Sequence, residues 1–203
     1  NELQKLIKKN KRINKSENKF RIRVLFPYQN ESEIDGIKEG YYYKENDYPA
    51  YFSLEIIYNN FGISKSTYKR FYEFYYPERE LFYQWYEKYS LDSINISYMF
   101  GDDLTFTIGR SIRLVNGDAE KWNWNEDGSG YVHSSTNYSG HINFITLGYR
   151  ISIFEFLMDL RDVSDVRFDN FECSSGNCGD HEMFRKEPIK LKNTLNFGFG
   201  FVF

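Results

Sequence analysis

The sequence predicts an all-β protein, one sheet of eight antiparallel strands wound up and down, closed on itself and set across a membrane. Three observations predict it. Apolar residues recur at every second position in eight separate segments. The links between those segments alternate long and short. Aromatic residues make up 20% of the 203 residues, more rings than a soluble core of this size has volume for. A membrane barrel has a broad outer wall and two interfacial girdles in which to place them.

The alternation begins after residue 18. Phe20, Ile22, Val24, Phe26 and Tyr28 alternate with Arg21 and Arg23, and Phe52, Leu54, Ile56 and Tyr58 with Ser53 and Glu55. Tyr72, Phe74 and Tyr76 form a third, less regular segment. Ile94, Ile96, Tyr98 and Phe100 come next, then Leu104, Phe106 and Ile108, then a sixth segment over about 140–150. Phe154, Phe156, Met158 and Leu160 alternate with Glu155, Asp159 and Arg161. Leu195, Phe197, Phe199, Phe201 and Phe203 alternate with Asn196, Gly198 and Gly200. Strict period two is the signature of strands with one apolar face. Segments of about ten residues suit a tilted strand crossing a bilayer.

Short links are expected at Gly62–Ser66, at Gly101-Asp102-Asp103 and near Tyr149–Ser152. Asp and Gly in the second suit a turn better than a metal site. Long links are expected between the first two segments and over about 77–91, 116–139 and 163–187. Transmembrane barrels have short periplasmic turns and longer extracellular loops. Eight strands with both ends on the periplasmic side give this order.

Composition narrows the function classes. No run of about 18 apolar residues exists, so a helix cannot cross a bilayer, and a closed sheet is the remaining way to satisfy the backbone in hydrocarbon. Mean hydropathy is -0.64. A formal net charge of -3 points to no nucleic-acid partner. The chain begins at Asn1 rather than Met and reads as a mature or trimmed chain from which a secretory signal is missing. Residues 1–18, with six basic and two acidic side chains, read as a basic tether or a short amphipathic helix, and residues 19–203 as the barrel.

If the apolar face looks at lipid, its partner face fills the lumen. Arg21, Arg23, Glu55, Glu155, Asp159, Arg161, Lys190 and Lys192 are then expected inside, pairing across a lumen that eight strands leave just wide enough for side chains. Leu195, Phe197, Phe199, Phe201 and Phe203 are expected to face lipid. Arg110, between Ile108 and Ile112, marks a bulge or the membrane edge. Trp122 and Trp124 are expected on a loop surface. Cys173 and Cys178 enclose turn formers, and a local disulfide in an oxidising compartment is expected. Asp180, His181 and Glu182 beside Cys178 make at most a weak cation site, so no metal or cofactor is expected.

The last segment, aromatic at alternate positions up to Phe203, resembles the terminal strand that bacterial outer-membrane proteins present to their insertion machinery. With the eight segments, the chain is similar to the small barrels of the OmpA/OmpX type. The resemblance implies a Gram-negative outer membrane, contact with outer-membrane lipid and lipopolysaccharide, and use of the barrel insertion machinery. A second, local resemblance lies in His133-Ser134-Ser135-Thr136-Asn137 with Gly140, Asn143 and Leu147-Gly148-Tyr149-Arg150. This looks like the His-x-Ser-Asn stretch of the PagL-type lipid A deacylases, and it implies His133 as general base and Ser135 as nucleophile.

Without a complete catalytic set, the expected role is non-enzymatic: a structural or accessory subunit of a membrane complex, or a surface-interaction protein working through its extracellular loops. An outer-leaflet lipid-modifying enzyme is the first alternative. A soluble lipocalin-like ligand-binding barrel, with the apolar face turned inward, is the second.

Overall fold

The computed structural model describes residues 19–27, 36–38, 41–44, 50–75, 84–124, 130–173, 188–191 and 193–203. Eight strands build the barrel: β1 (Phe20–Pro27), β4 (Ala50–Tyr58), β5 (Phe61–Tyr75), β6 (Gln84–Phe100), β7 (Leu104–Trp124), β10 (Asn143–Ile151), β11 (Phe154–Asp162) and β15 (Thr194–Val202). Seven shorter strands complete the numbering: β2 (Gly36–Lys38), β3 (Tyr41–Lys44), β8 (Gly130–Ser135), β9 (Asn137–Ser139), β12 (Arg167–Asp169), β13 (Glu172–Cys173) and β14 (Ile189–Lys190).

The barrel closes because its first and last strands pair. Val24 stands opposite Phe199 of β15 on one side and Leu54 of β4 on the other. From there every neighbour is antiparallel, through β5, β6, β7, β10 and β11 back to β15. No barrel strand is left with an unpaired edge, as hydrocarbon requires.

Three tight turns lie at one end. Asn59 and Ser152 adopt positive φ (56° and 61°), and Gly101 reaches 83°, where a Cβ would strike the Leu104 carbonyl. Neighbouring turns are tied together: the Asn60 side chain donates to the Met99 carbonyl (2.8 Å), and the Arg150 amide donates to that of Asp103 (2.7 Å). The first turn is Asn59–Asn60, not Gly62–Ser66. Gly62, Ser64 and Ser66 are inward residues of β5, alternating with outward Phe61, Ile63 and Lys65. Small polar residues mimic a turn in the sequence, but here they make room in a crowded lumen.

The outer wall is apolar all round. Leu54, Ile63, Ile96, Phe106, Ile145, Phe156, Leu160, Leu195, Phe197 and Phe199 are each 40–60% exposed. A soluble monomer rarely leaves so much contiguous apolar surface open to water. Near the short turns the wall becomes aromatic. Phe20 meets Phe203 (6.2 Å between ring centres), Phe61 meets Tyr98 (5.0 Å), and Phe154 meets Phe201 (5.4 Å). This is a girdle at a membrane interface. A lipocalin-like barrel needs the apolar face inside, and the exposed apolar wall does not favour it. Arg110 lies outward on β7, and the bulge falls at Ile112, between the Ile94–Arg113 and Asn95–Ser111 pairs.

At the other end the strands are unequal. β5, β6 and β7 have 15, 17 and 21 residues, against nine each for β4, β10, β11 and β15. A bilayer takes about nine to eleven tilted residues, so the upper halves of β5–β7 stand beyond it. There they continue as an open sheet in the order β2-β3-β5-β6-β7-β8-β13. The link expected over 116–139 is therefore strand for much of its length, and Trp122 sits on β7 rather than on a loop. Residues 1–18 lie outside the described residues.

Candidate functional site

Strand parity places the lumen. Arg21, Arg23, Glu55, Glu155, Asp159 and Arg161 are all buried, with at most 2% exposure. They form two layers.

The lower layer, beside the tight turns, centres on Glu155. Its carboxylate accepts from Arg23 Nε (2.9 Å), Arg23 Nη2 (2.7 Å), Arg21 Nη1 (3.0 Å) and the Thr105 hydroxyl (2.7 Å). Arg23 also reaches Glu55 (3.4 Å) and Thr107 (2.8 Å), and Glu55 accepts from Ser97 (2.6 Å). Two guanidiniums face two carboxylates, so the layer is neutral. That balance and the dense hydrogen bonding are what burial of ions demands. At the rim, Arg21 Nη2 donates to the Asp102 carbonyl (3.0 Å) and Lys19 pairs with the Asp102 carboxylate (2.6 Å).

Glycines give this layer its space. A Cβ on Gly148 would run into Thr105 Oγ1 and Glu155 Oε1, and one on Gly62 into Ser97 Oγ. Gly148→Ala is expected to lower stability by about 1–3 kcal/mol through overpacking, read from the midpoint of urea unfolding in vesicles. An unchanged midpoint would mean the lumen is loosely filled.

The upper layer centres on Arg161. Its Nε donates to Asp159 (2.8 Å) and its Nη1 to Ser66 (3.1 Å), while the guanidinium lies over the Phe144 ring at 4.2 Å and the Tyr51 ring at 5.1 Å. Asp159 also accepts from Thr146 (2.6 Å) and Asn196 (3.0 Å). Thr105, Thr107, Thr146, Asn95 and Asn196 share the inward parity of these charges and are fully buried with them.

Above these layers the lumen ends in an apolar plug. Leu91, Ile142, Val163, Val166, Phe168, Phe171, Ile189 and Leu191 are buried together. Most come from the chain between β11 and β15. It folds back over the mouth, where β9, β12 and β14 form a separate small sheet. This explains a correction. Lys190 was expected in the lumen by extending the parity of β15, but its side chain is exposed, and Ile189 and Leu191 take the buried side. The parity slips between Leu191 and Thr194 because the chain changes sheets there. Lys192 lies outside the described residues.

His133 and Ser135 are both buried on the inner face of β8. The Ser135 hydroxyl is engaged with main chain: it donates to the Asp169 carbonyl, lies 3.4 Å from the Asn137 carbonyl and accepts from the Asn137 amide (3.0 Å). It shapes the turn between β8 and β9. The stretch 136–150 contains no carboxylate. Cys173 pairs in register with His133, while Cys178 and Asp180, His181 and Glu182 lie outside the described residues. Trp122 is half-buried and its indole donates to Glu120 (3.0 Å). Partial burial works against the Glu120 charge, but bonds from Lys88 (2.7 Å) and Trp122 hold its carboxyl below the ordinary range. The side chain of Trp124 is outside the described residues. Leu195, Phe197, Phe199 and Phe203 project outward, and Phe201 is half-buried beside Phe154. Among the described residues no cluster of His, Cys, Asp or Glu could hold a metal ion.

No family model matches the chain, and no curated protein matches it. Among solved structures it is similar to Ail, the attachment invasion locus protein of Yersinia pestis, in a crystal structure with the heparin analogue sucrose octasulfate. The two share 14% identity over 92% of this chain and 99% of that one, with a TM-score of 0.43. The closed strand order, the apolar outer wall and the polar lumen carry the assignment by themselves. The chain is a small eight-stranded transmembrane β-barrel.

Proposed function

We propose that this barrel sits in a bacterial outer membrane as a non-conducting, non-enzymatic base that holds an interaction surface outside the cell. One observation carries the reading. Among the described residues the lumen holds layers of buried ion pairs beneath an apolar plug, while β5–β7 run well past the length a bilayer needs and continue as an open sheet. Strands need no such height to cross a membrane. A rigid extension of this kind offers main-chain and side-chain groups to a protein partner. Outer-membrane lipid and lipopolysaccharide would surround the wall. The C-terminal strand, ending at Phe203, would engage the barrel insertion machinery. The Cys173–Cys178 pairing, in an oxidising periplasm and cell exterior, would clip the loop that carries the plug.

The test is electrical and then biochemical. Purified protein in planar bilayers is expected to give no stable channels. Shortening the hairpin by deleting residues 86–89 together with 119–122, which face one another across β6 and β7, is expected to leave a folded barrel and abolish cell-surface adhesion. Large stable conductance would contradict the filled lumen. Adhesion equal to that of the intact protein would contradict the role of the extension.

A further inference from the structure

We infer that the small sheet over the barrel mouth carries a binding cleft for an anionic sugar, one bearing phosphate, sulfate or carboxylate. The sheet has two unlike faces. Inward, Phe168 pairs in register with Ile189 and with Tyr138, and these seal the lumen. Outward, the same three strands set Lys190, Arg167 and Ser139 side by side in one row. Like charges directly opposite on neighbouring strands destabilise a sheet. Arg167 and Lys190 nonetheless stand in that relation, and both side chains are exposed.

Local compensation is thin. Arg167 Nε lies 3.4 Å from the Ser139 hydroxyl and 3.7 Å from the Asp169 carboxylate. Among the described residues Lys190 makes no ion pair. Asp165 directs Oδ2 to the His141 backbone amide (3.2 Å), which ties down the facing loop. Gly140 holds that loop close, with φ +114° and the Asp165 carbonyl where a Cβ would stand. The result is an open polar cleft of about 430 Å³, lined by Ser139, His141, Ser164, Asp165, Arg167 and Lys190.

Each feature selects a ligand property. Two adjacent cations, Arg167 and Lys190, can take an oxyanion through charge-assisted hydrogen bonds. The Ser139 and Ser164 hydroxyls and the Asp165 carboxylate suit sugar hydroxyls. The volume is that of a small-ligand site, and the described lining residues are mainly polar. The apolar plug beneath makes the platform rigid. None of the residues lining the cleft belongs to β5–β7, so it neither requires nor excludes a protein partner on that extension.

Titration calorimetry on the whole detergent-solubilised barrel tests this, with folding checked by heat-modifiable gel mobility. The probes are mannose 6-phosphate, a sulfated disaccharide, galacturonic acid dimer and neutral maltose. At least one anionic probe is expected to bind, with maltose on the order of tenfold weaker or undetectable. Arg167→Gln with Lys190→Gln is expected to weaken the anionic probe on the order of tenfold, whereas Lys65→Gln on the outer wall leaves it unchanged. Lys190→Gln alone keeps the comparison available if the double variant fails to fold. Vesicles with and without lipopolysaccharide separate the sources. Binding of free sugar in detergent assigns a ligand from outside. Dependence on Arg167 and Lys190 only when lipopolysaccharide shares the vesicle assigns the membrane's own glycolipid. No anionic binding in either format, equal binding of maltose, or affinity indifferent to both substitutions would overturn the site. Conductance measurements are untouched by these outcomes, so failure here is distinct from failure of the filled-lumen reading.

Discussion

Replacing Glu155 with Gln is expected to lower the unfolding free energy by about 3–5 kcal/mol, the usual cost of breaking a fully buried ion pair by removing one partner. Glu155 is the hub of the lower lumen layer and accepts four hydrogen bonds from Arg21, Arg23 and Thr105. Without its charge, the two buried guanidiniums are left with Glu55, 3.4 Å from Arg23, and the half-exposed Asp102, 3.9 Å from Arg21. Urea unfolding in lipid vesicles measures the loss. The control is a second variant, Glu155→Gln with Arg21→Met, which restores neutrality and fills the same space. It is expected to recover much of the loss, because the penalty lies in the uncompensated charge rather than in the missing contacts. If the single variant were as stable as the parent, water must reach the layer and screen it, and the lumen would not be filled.

The second large effect is expected on the opposite face of the wall. Phe199 is 43% exposed in the middle of β15, against Phe26 at 5.8 Å. Arginine there would sit near the bilayer midplane. Phe199→Arg is expected to cost about 2–4 kcal/mol, the range for cations at that depth on a lipid-facing strand. At a comparably exposed position of a water-soluble protein the same change would stay within about 0.5 kcal/mol. The comparison of unfolding in vesicles with Lys65→Leu, an outward position whose side chain is already largely exposed and paired with Asp92 at 3.1 Å, shows whether the cost depends on depth. A Phe199→Arg barrel of parental stability would contradict lipid contact at that level.

The barrel was legible because period-two alternation is a local property of the chain and survives whatever surrounds it. Val24, Leu54 and Phe199 announce outward positions one strand at a time, and the alternating link lengths order the strands. The C-terminal rings and the lumen charges follow from the same parity. Legibility ended where the chain leaves the barrel. Gly62, Ser64 and Ser66 read as a turn because small polar residues serve equally for bends and for the inside of a narrow lumen. Lys190 was misplaced because the sequence holds no mark of the change from one sheet to another between Leu191 and Thr194. Val166, Phe168 and Phe171 of the plug lay in what read as a loop. Its residues are far from the rings they meet in sequence, and only the closed barrel brings Leu91 and Ile142 over them. The cleft was hidden for the same reason. Arg167, Lys190 and Ser139 become neighbours through pairings that no short-range pattern contains.

One measurement bears most directly on the lipid-facing wall and the packed lumen together. Nitroxide labels placed singly along β10 from Asn143 to Ile151, with Cys173 and Cys178 replaced by Ser and the protein in vesicles, report access to oxygen, which partitions into lipid, and to a water-soluble nickel chelate. Labels at Ile145, Leu147 and Tyr149 should show high oxygen and low nickel access, and labels at Phe144 and Thr146 should be closed to both. High nickel access at Ile145 and Leu147, or no alternation along the strand, would contradict a barrel with lipid outside and a filled interior.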